Sequence, residues 1–159
     1  TVIENVKAAC GRDTRYNLLD AVFRTPRFWS AERAVTEKAM ELLAICGLED
    51  SADVLASSLP YGRQRKLEIA RALATDMKVL LLDEPAAGMN PTETAELLSC
   101  IHAIRDRFGV AILLIEHDMS LVMNICQRIQ VIDYGQAIAA GLPEEIARDP
   151  KVIAAYLGE

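Results

Sequence analysis

Two uninterrupted apolar runs, Val79 to Leu82 and Val110 to Ile115, limit the possible folds more than any other feature. Each is strand-sized, and neither alternates apolar with polar residues as a half-solvated strand does. Such strands are buried on both faces. Between them, Asn90-Pro91-Thr92-Glu93 supplies an N-cap, a proline at the first helical position and a capping-box acid. Leu97, Leu98, Ile101 and Ile104 then recur at helical spacing to about Arg107, and Gly109 punctuates. Met119 to Cys126 returns to helix. The order strand, helix, strand, helix predicts an α/β fold whose mostly parallel sheet is covered by helices.

The residues up to about Leu73 read as helical. Ser30 suits an N-cap for an amphipathic helix through Ala39, Leu42, Leu43 and Cys46, stopped by Gly47. The preceding stretch, with Phe23, Pro26, Phe28 and Trp29, has no clear period and is expected as a turn or loop. A second helix is predicted from about Gly62 to Ala74. Beyond the second strand-helix pair, Ile129 to Tyr134 and Ala137 to Ala140 suggest a hairpin turning at Gly135-Gln136. Pro143 and Pro150 each suit the start of a short helix. The division expected is a helical subdomain at 1–74 and the sheet-bearing part at 75–159.

Composition excludes several classes. The 159 residues carry a net charge of -6, against the strongly basic footprint of a nucleic-acid surface. The basic run Arg63, Arg65, Lys66 and Arg71 has no interleaved aromatics and reads as a solvated helix face. No apolar stretch approaches the ~20 residues of a membrane span. With no basic and apolar leader at the start, a cytosolic setting is expected. Cys10, Cys46, Cys100 and Cys126 are scattered, without metal-ligand spacing, and read as reduced structural thiols.

Chemistry concentrates after residue 58. Val79 to Leu82 ends in Asp83-Glu84-Pro85, placing two carboxylates at the carboxyl end of a predicted parallel strand, where open α/β sheets bind ligands. Alone, this pattern also suits a strand that simply ends at solvent. Upstream, Leu59-Pro60-Tyr61-Gly62-Arg63 opens the helix that runs Leu67-Glu68-Ile69-Ala70-Arg71-Ala72-Leu73. A glycine loop at a helix start offers free amides and a favourable dipole to a phosphate. Downstream come Ala87-Gly88-Met89-Asn90-Pro91 and, after the second strand, Glu116-His117-Asp118.

In this order and spacing, the segments resemble the signature, Walker B, D-loop and switch motifs of the ABC-transporter ATPases. The resemblance covers the whole chain, since Thr1-Val2-Ile3-Glu4-Asn5-Val6 is similar to the segment after the family's Q-loop. Glu84-Pro85-Ala86-Ala87-Gly88-Met89-Asn90-Pro91 and the ending Ala155-Tyr156-Leu157-Gly158-Glu159 are similar to the branched-chain amino acid importers. The resemblance implies a partial P-loop NTPase fold, ATP as substrate and Mg2+ beside it. It implies that Asp83 helps hold the metal, Glu84 orients or deprotonates the attacking water and His117 senses the γ-phosphate. Pro60, Tyr61, Gly62 and Arg63 would face ATP bound mainly by a second ATPase subunit, with Gly88 and Asn90 in the D-loop at the dimer seam. The implied partners are that second subunit, transmembrane permease subunits and, indirectly, a periplasmic receptor. The implied location is the inner face of the plasma membrane.

The chain departs from the family pattern in two ways. No Gly-x-x-x-x-Gly-Lys-[Ser/Thr] occurs in it, and the Q-loop glutamine and adenine-stacking aromatic would precede the position of Thr1. A fragment inactive by itself is expected. Pro60 stands where the family motif usually has serine, and Arg63 where it has glutamine. Arginine there can meet a phosphate or serve as a solvated helix start. Two other readings compete: a non-catalytic interaction module derived from the family, and a soluble ABC-type ATPase of DNA repair. The latter is disfavoured because no sustained heptad precedes the signature.

Overall fold

The computed structural model describes residues 1–10 and 16–157. Gly11 and the Gly158-Glu159 end of the importer-like terminus lie outside the described residues. The chain divides into two compact units, Thr1–Leu113 and Leu114–Glu159.

In the first unit, helices α1 (Val2–Ala9), α2 (Leu18–Phe23), α3 (Pro26–Ile45) and α4 (Tyr61–Leu73) precede strand β1 (Val79–Asp83) and helix α5 (Pro91–Phe108). Strand β2 (Ala111–Ile115) spans the boundary between the units and pairs with β1, parallel, through the α5 crossover. The first amides of α1 are satisfied from outside the helix: Val2 N–H donates to the Val54 carbonyl and Ile3 N–H to that of Ala52, each at 2.9 Å. Val2, Val6, Leu43, Leu48, Leu97 and Ile104 are fully buried. Each such aliphatic side chain contributes roughly 1.5–3 kcal/mol.

Two expectations for this unit change. The stretch around Phe23 to Trp29 is not a loop: α2 ends at Phe23, and α3 starts at Pro26 rather than after Ser30. Thr25 is the N-cap, accepting from Phe28 N–H at 3.5 Å, with Pro26 at the first helical position. Phe28 lies edge-on to Tyr16 and Trp29, with ring centroids 5.1 and 5.4 Å away. That aromatic cluster serves the local packing and hides the helical period. The second change is on the sheet. Leu80 and Leu82 are buried, but Val79 and Leu81, on the other face of β1, are 52% and 69% exposed, and Leu113 on β2 is exposed as well.

The second unit contains α6 (Met119–Ile125), β3 (Ile129–Asp133), β4 (Gln136–Gly141), α7 (Pro143–Ile146) and α8 (Pro150–Leu157). Val122, Ile129, Ile146 and Val152 form its core. β3 and β4 pair antiparallel from Ile129 opposite Gly141 to Asp133 opposite Gln136, with an irregularity after Val131 that leaves Ile138 as the extra residue. The turn is Tyr134-Gly135, one residue earlier than predicted. Both have positive φ, 44° and 79°. A two-residue primed turn requires this, because its twist matches that of the strands.

Candidate functional site

The site residues of the first unit lie at the start of α4 and just after β1. Pro60 is the N-cap of α4, in extended backbone, and makes no side-chain cap. Tyr61 follows on the surface. Its hydroxyl accepts from Arg65 Nε at 3.0 Å, and the Arg65 guanidinium lies over its ring, 5.2 Å from the centroid. Gly62 is buried. Arg63 turns away from the helix start into the helical region. It donates to Ser51 Oγ and the Gly47 carbonyl at 3.0 Å each, and to Asp50 at 2.5 Å. The guanidinium holds the Asp50 carboxyl below the usual carboxylate range. This residue at the signature's glutamine position is therefore a tie between α4 and the turn after α3.

The basic run is not a uniformly solvated face. Arg71 is exposed and Arg65 pairs with Glu68 at 2.8 Å, but Lys66 is only 7% exposed. Lys66 falls one helical turn after Gly62 and one before Ala70, on the buried stripe of α4. Its ammonium meets Glu96 of α5 at 2.6 Å. Beside it, the thiols of Cys46 and Cys100 interact. The hydrogen bond to Cys100, then burial, push the Cys46 thiol up. All four cysteines are free, as expected.

Asp83 ends β1, and Asp83 and Glu84 are both exposed. Glu84 has φ of +41°, a left-handed conformation that a non-glycine residue rarely adopts and that often accompanies functional constraint. The chain reverses here: Ala87 N–H donates to the Glu84 carbonyl and Met89 N–H to that of Ala86, each at 3.1 Å. A cleft of about 180 Å3 runs between α4 and β1, lined by Arg65, Glu68, Leu81, Asp83 and Pro85 among others. Asn90 is the N-cap of α5. Asn90 Oδ1 accepts from Glu93 N–H at 3.0 Å, and Glu93 Oε2 accepts from Asn90 N–H at 3.0 Å.

Sequence reasoning assigned Glu93 only to this capping box and missed its second contact. A Cβ built on Gly62 would lie 3.2 Å from Glu93 Oε1 and 3.3 Å from Glu93 Cβ. Nearby, Tyr61 Cε1 is 3.8 Å from the place of a Gly88 Cβ. The signature-like and D-loop-like segments therefore touch within one chain. In the second unit, His117 is exposed between β2 and α6, whose N-cap Asp118 accepts from Ser120 and Leu121 N–H at 2.8 and 3.3 Å.

Among the described residues, no group of three or more His, Cys, Asp or Glu is arranged to hold a metal. A lone exposed carboxylate such as Asp83 still suits Mg2+, which keeps its waters and binds one or two carboxylates together with substrate phosphates. No described helix is long and apolar enough to cross a membrane.

Comparison with known proteins settles the family. The ABC transporter family model matches residues 2–87. The chain belongs to the ABC transporter family. A second model, for the branched-chain amino acid ATP-binding cassette transporter, matches residues 138–159 of this ABC chain. The high-affinity branched-chain amino acid transport ATP-binding protein LivG of Salmonella typhimurium is 47% identical over all 159 residues. BraF of Pseudomonas aeruginosa, which bears the same description, is 46% identical over the same length. The chain spans 62% of the length of these relatives. Among solved structures, the ADP conformation of MJ1267, an ATP-binding cassette of an ABC transporter, superposes with a TM-score of 0.77 at 31% identity. That match covers all of this chain and 63% of MJ1267. A nucleotide-free ATP-binding cassette from an ABC transporter gives 0.73 at 29% identity, with the same coverage. The fold is that of the ABC ATPases.

Proposed function

We propose that this chain is part of the ATP-hydrolysing subunit of an ABC importer for branched-chain amino acids. The observation that carries the reading is the 47% identity to LivG over the entire chain. In this reading, residues 1–74 form the helical subdomain ending in the signature helix, and 75–159 the C-terminal part of the RecA-like subdomain. The subunit pairs with a second ATPase subunit. It docks on transmembrane permeases at the cytoplasmic face of the membrane and serves a periplasmic receptor through them.

The roles follow from what each residue offers. Asp83 would hold Mg2+, which neutralises phosphate charge when bound. Glu84, on its tight turn after β1, orients or deprotonates the water that attacks the γ-phosphorus. His117 donates toward the γ-phosphate. The start of α4, Pro60 to Gly62, presents backbone to the partner's nucleotide, and Gly88 and Asn90 lie at the dimer seam. Most of the rate enhancement comes from positioning and charge stabilisation. A nest of amides and a P-loop lysine is the main hold on β- and γ-phosphates, and the Gly-x-x-x-x-Gly-Lys-[Ser/Thr] run that builds them does not occur in these 159 residues. The 159 residues alone should therefore bind MgATP no more tightly than ~100 μM, about -5.5 kcal/mol.

The test joins this chain to the part of Salmonella LivG that the match leaves out and introduces it into a strain lacking LivG. The joined protein should hydrolyse ATP and restore leucine, isoleucine or valine uptake. Failure to hydrolyse ATP would overturn the ATPase reading. Hydrolysis without uptake of any of these amino acids would overturn the cargo. A dissociation constant below ~100 μM for MgATP on the chain alone would overturn the requirement for the P-loop.

A further inference from the structure

Gly62 and Glu93 are 31 positions apart in sequence and in contact in the fold. Glu93 uses one carboxylate oxygen, Oε2, to hold the Asn90 amide, and turns the other toward Gly62. A methyl group at position 62 would press on Glu93 Cβ as well as on its carboxylate. Rotating the end of the side chain eases the contact with the carboxylate but not the one with Cβ. The start of α5 would have to move by a few tenths of an ångström, and the Asn90 cap with it. One helical turn further on, the Lys66 to Glu96 pair joins the same two helices.

The ordinary account of a glycine at a helix start beside a phosphate is that the ligand's approach leaves no room for a side chain. Here the room is already taken within the chain. We propose that Glu93 is a positioning residue that locks the start of α4 to the Gly88–Asn90 turn, and that glycine is favoured at position 62 because Glu93 crowds the place of its Cβ. The surface offered to the partner's nucleotide and the segment at the dimer seam then move as one piece. This inference rests on the ATPase reading for its activity arm but not for its stability arm.

The test is a double-mutant cycle of Gly62→Ala and Glu93→Gly in the joined full-length protein, since only glycine at 93 removes the Cβ contact together with the carboxylate. Gly62→Ala should lower kcat about tenfold when Glu93 is present and less than about twofold in the Glu93→Gly background. The KM for ATP, set by the P-loop, should stay within about twofold in every variant, and kcat is counted per folded protein by active-site titration, so that a general loss of folding does not enter it. Glu93→Gln, which keeps the capping box, should retain most of the kcat that Glu93→Gly loses. An equal loss from Gly62→Ala in both backgrounds would overturn the proposal and place the steric requirement on the partner's nucleotide.

The stability arm uses urea midpoints of the same four proteins without nucleotide. Gly62→Ala should lower the midpoint with Glu93 present and leave it in place or raise it in the Glu93→Gly background. Additive midpoints would also overturn the proposal. If the unmodified joined protein proves inactive, the ATPase reading falls, and the midpoints alone decide the Gly62–Glu93 coupling.

Discussion

Lys66 Nζ lies 2.6 Å from Glu96 Oε2, and the two ends of the pair sit in different media: the Lys66 side chain is 9% exposed and that of Glu96 55%. The lysine gives up most of its hydration, and Glu96 is its compensation. The Lys66 hydrogen bond and charge hold the Glu96 carboxyl below its ordinary range. A carboxyl lowered in the folded state contributes stability above its unfolded value and loses it as pH falls through its folded value. Glu96→Ala should therefore lower the urea midpoint at neutral pH, with the difference from wild type shrinking below ~pH 4. Removing both charges in Lys66→Met/Glu96→Leu should destabilise less than Glu96→Ala alone, which leaves a buried ammonium without its carboxylate. Midpoints for the three proteins at several pH values decide this, and a pH-independent Glu96→Ala effect would refute it.

Glu84 occupies the left-handed region directly after β1. Glu84→Gln preserves both the backbone demand and the side-chain shape, so its effect isolates the loss of a base. In the joined protein, turnover should fall ~10²–10⁴-fold, the usual contribution of positioned proton transfer. ATP affinity should be retained. His117→Ala should likewise impair turnover more than affinity. Phosphate release and nucleotide titration measure both, and hydrolysis within about threefold of wild type would remove Glu84 from the role.

Legibility of the sequence followed how locally each feature is encoded. The Asn90-Pro91-Thr92-Glu93 start of α5 and its end at Gly109 were readable because caps are contiguous in sequence. The strands were readable from unbroken apolar runs, although one face of β1 is exposed among the described residues. The start of α3 was not, because Thr25-Pro26 carries the signal while the aromatics after it mask the period. Lys66 looked like a solvated cation because charge composition ignores the stripe on which a residue falls. The Gly62–Glu93 contact depends on helix packing, which no spacing rule encodes.

Tyr134 combines full exposure with φ of 44° in the two-residue turn between β3 and β4. It buries nothing there to offset the left-handed backbone, which costs an ordinary L-residue roughly 1–2 kcal/mol. Asparagine tolerates this region and, before Gly135, gives the preferred primed-turn dipeptide. Tyr134→Asn should stabilise the protein by up to ~1 kcal/mol, measured by the unfolding midpoint. A lowered midpoint would show that the Tyr134 ring stabilises the fold despite its exposure.

Pro60 caps α4 by backbone position alone, with φ of -55° and ψ of 152° and no side-chain acceptor. The Pro60 carbonyl takes the first helical bond, from Gln64 N–H at 3.0 Å. Serine fits the same extended backbone, and its Oγ would accept from Gly62 or Arg63 N–H, a cap worth ~0.5–2 kcal/mol. The looser unfolded chain offsets about 0.4–1 kcal/mol of that, so Pro60→Ser should leave stability unchanged or slightly raised. The larger effect should fall on association. A hydroxyl accepts and donates at once, so a serine engaged as a cap still has its proton for the partner's γ-phosphate. That charge-assisted bond is worth ~1.5–3 kcal/mol. In the joined protein carrying Glu84→Gln to slow turnover, Pro60→Ser should strengthen ATP-dependent dimerisation about tenfold or more. Sedimentation velocity with and without MgATP measures it. Unchanged dimerisation would mean that the backbone amides of Tyr61 and Gly62 already supply the contact and that the missing hydroxyl has no energetic role.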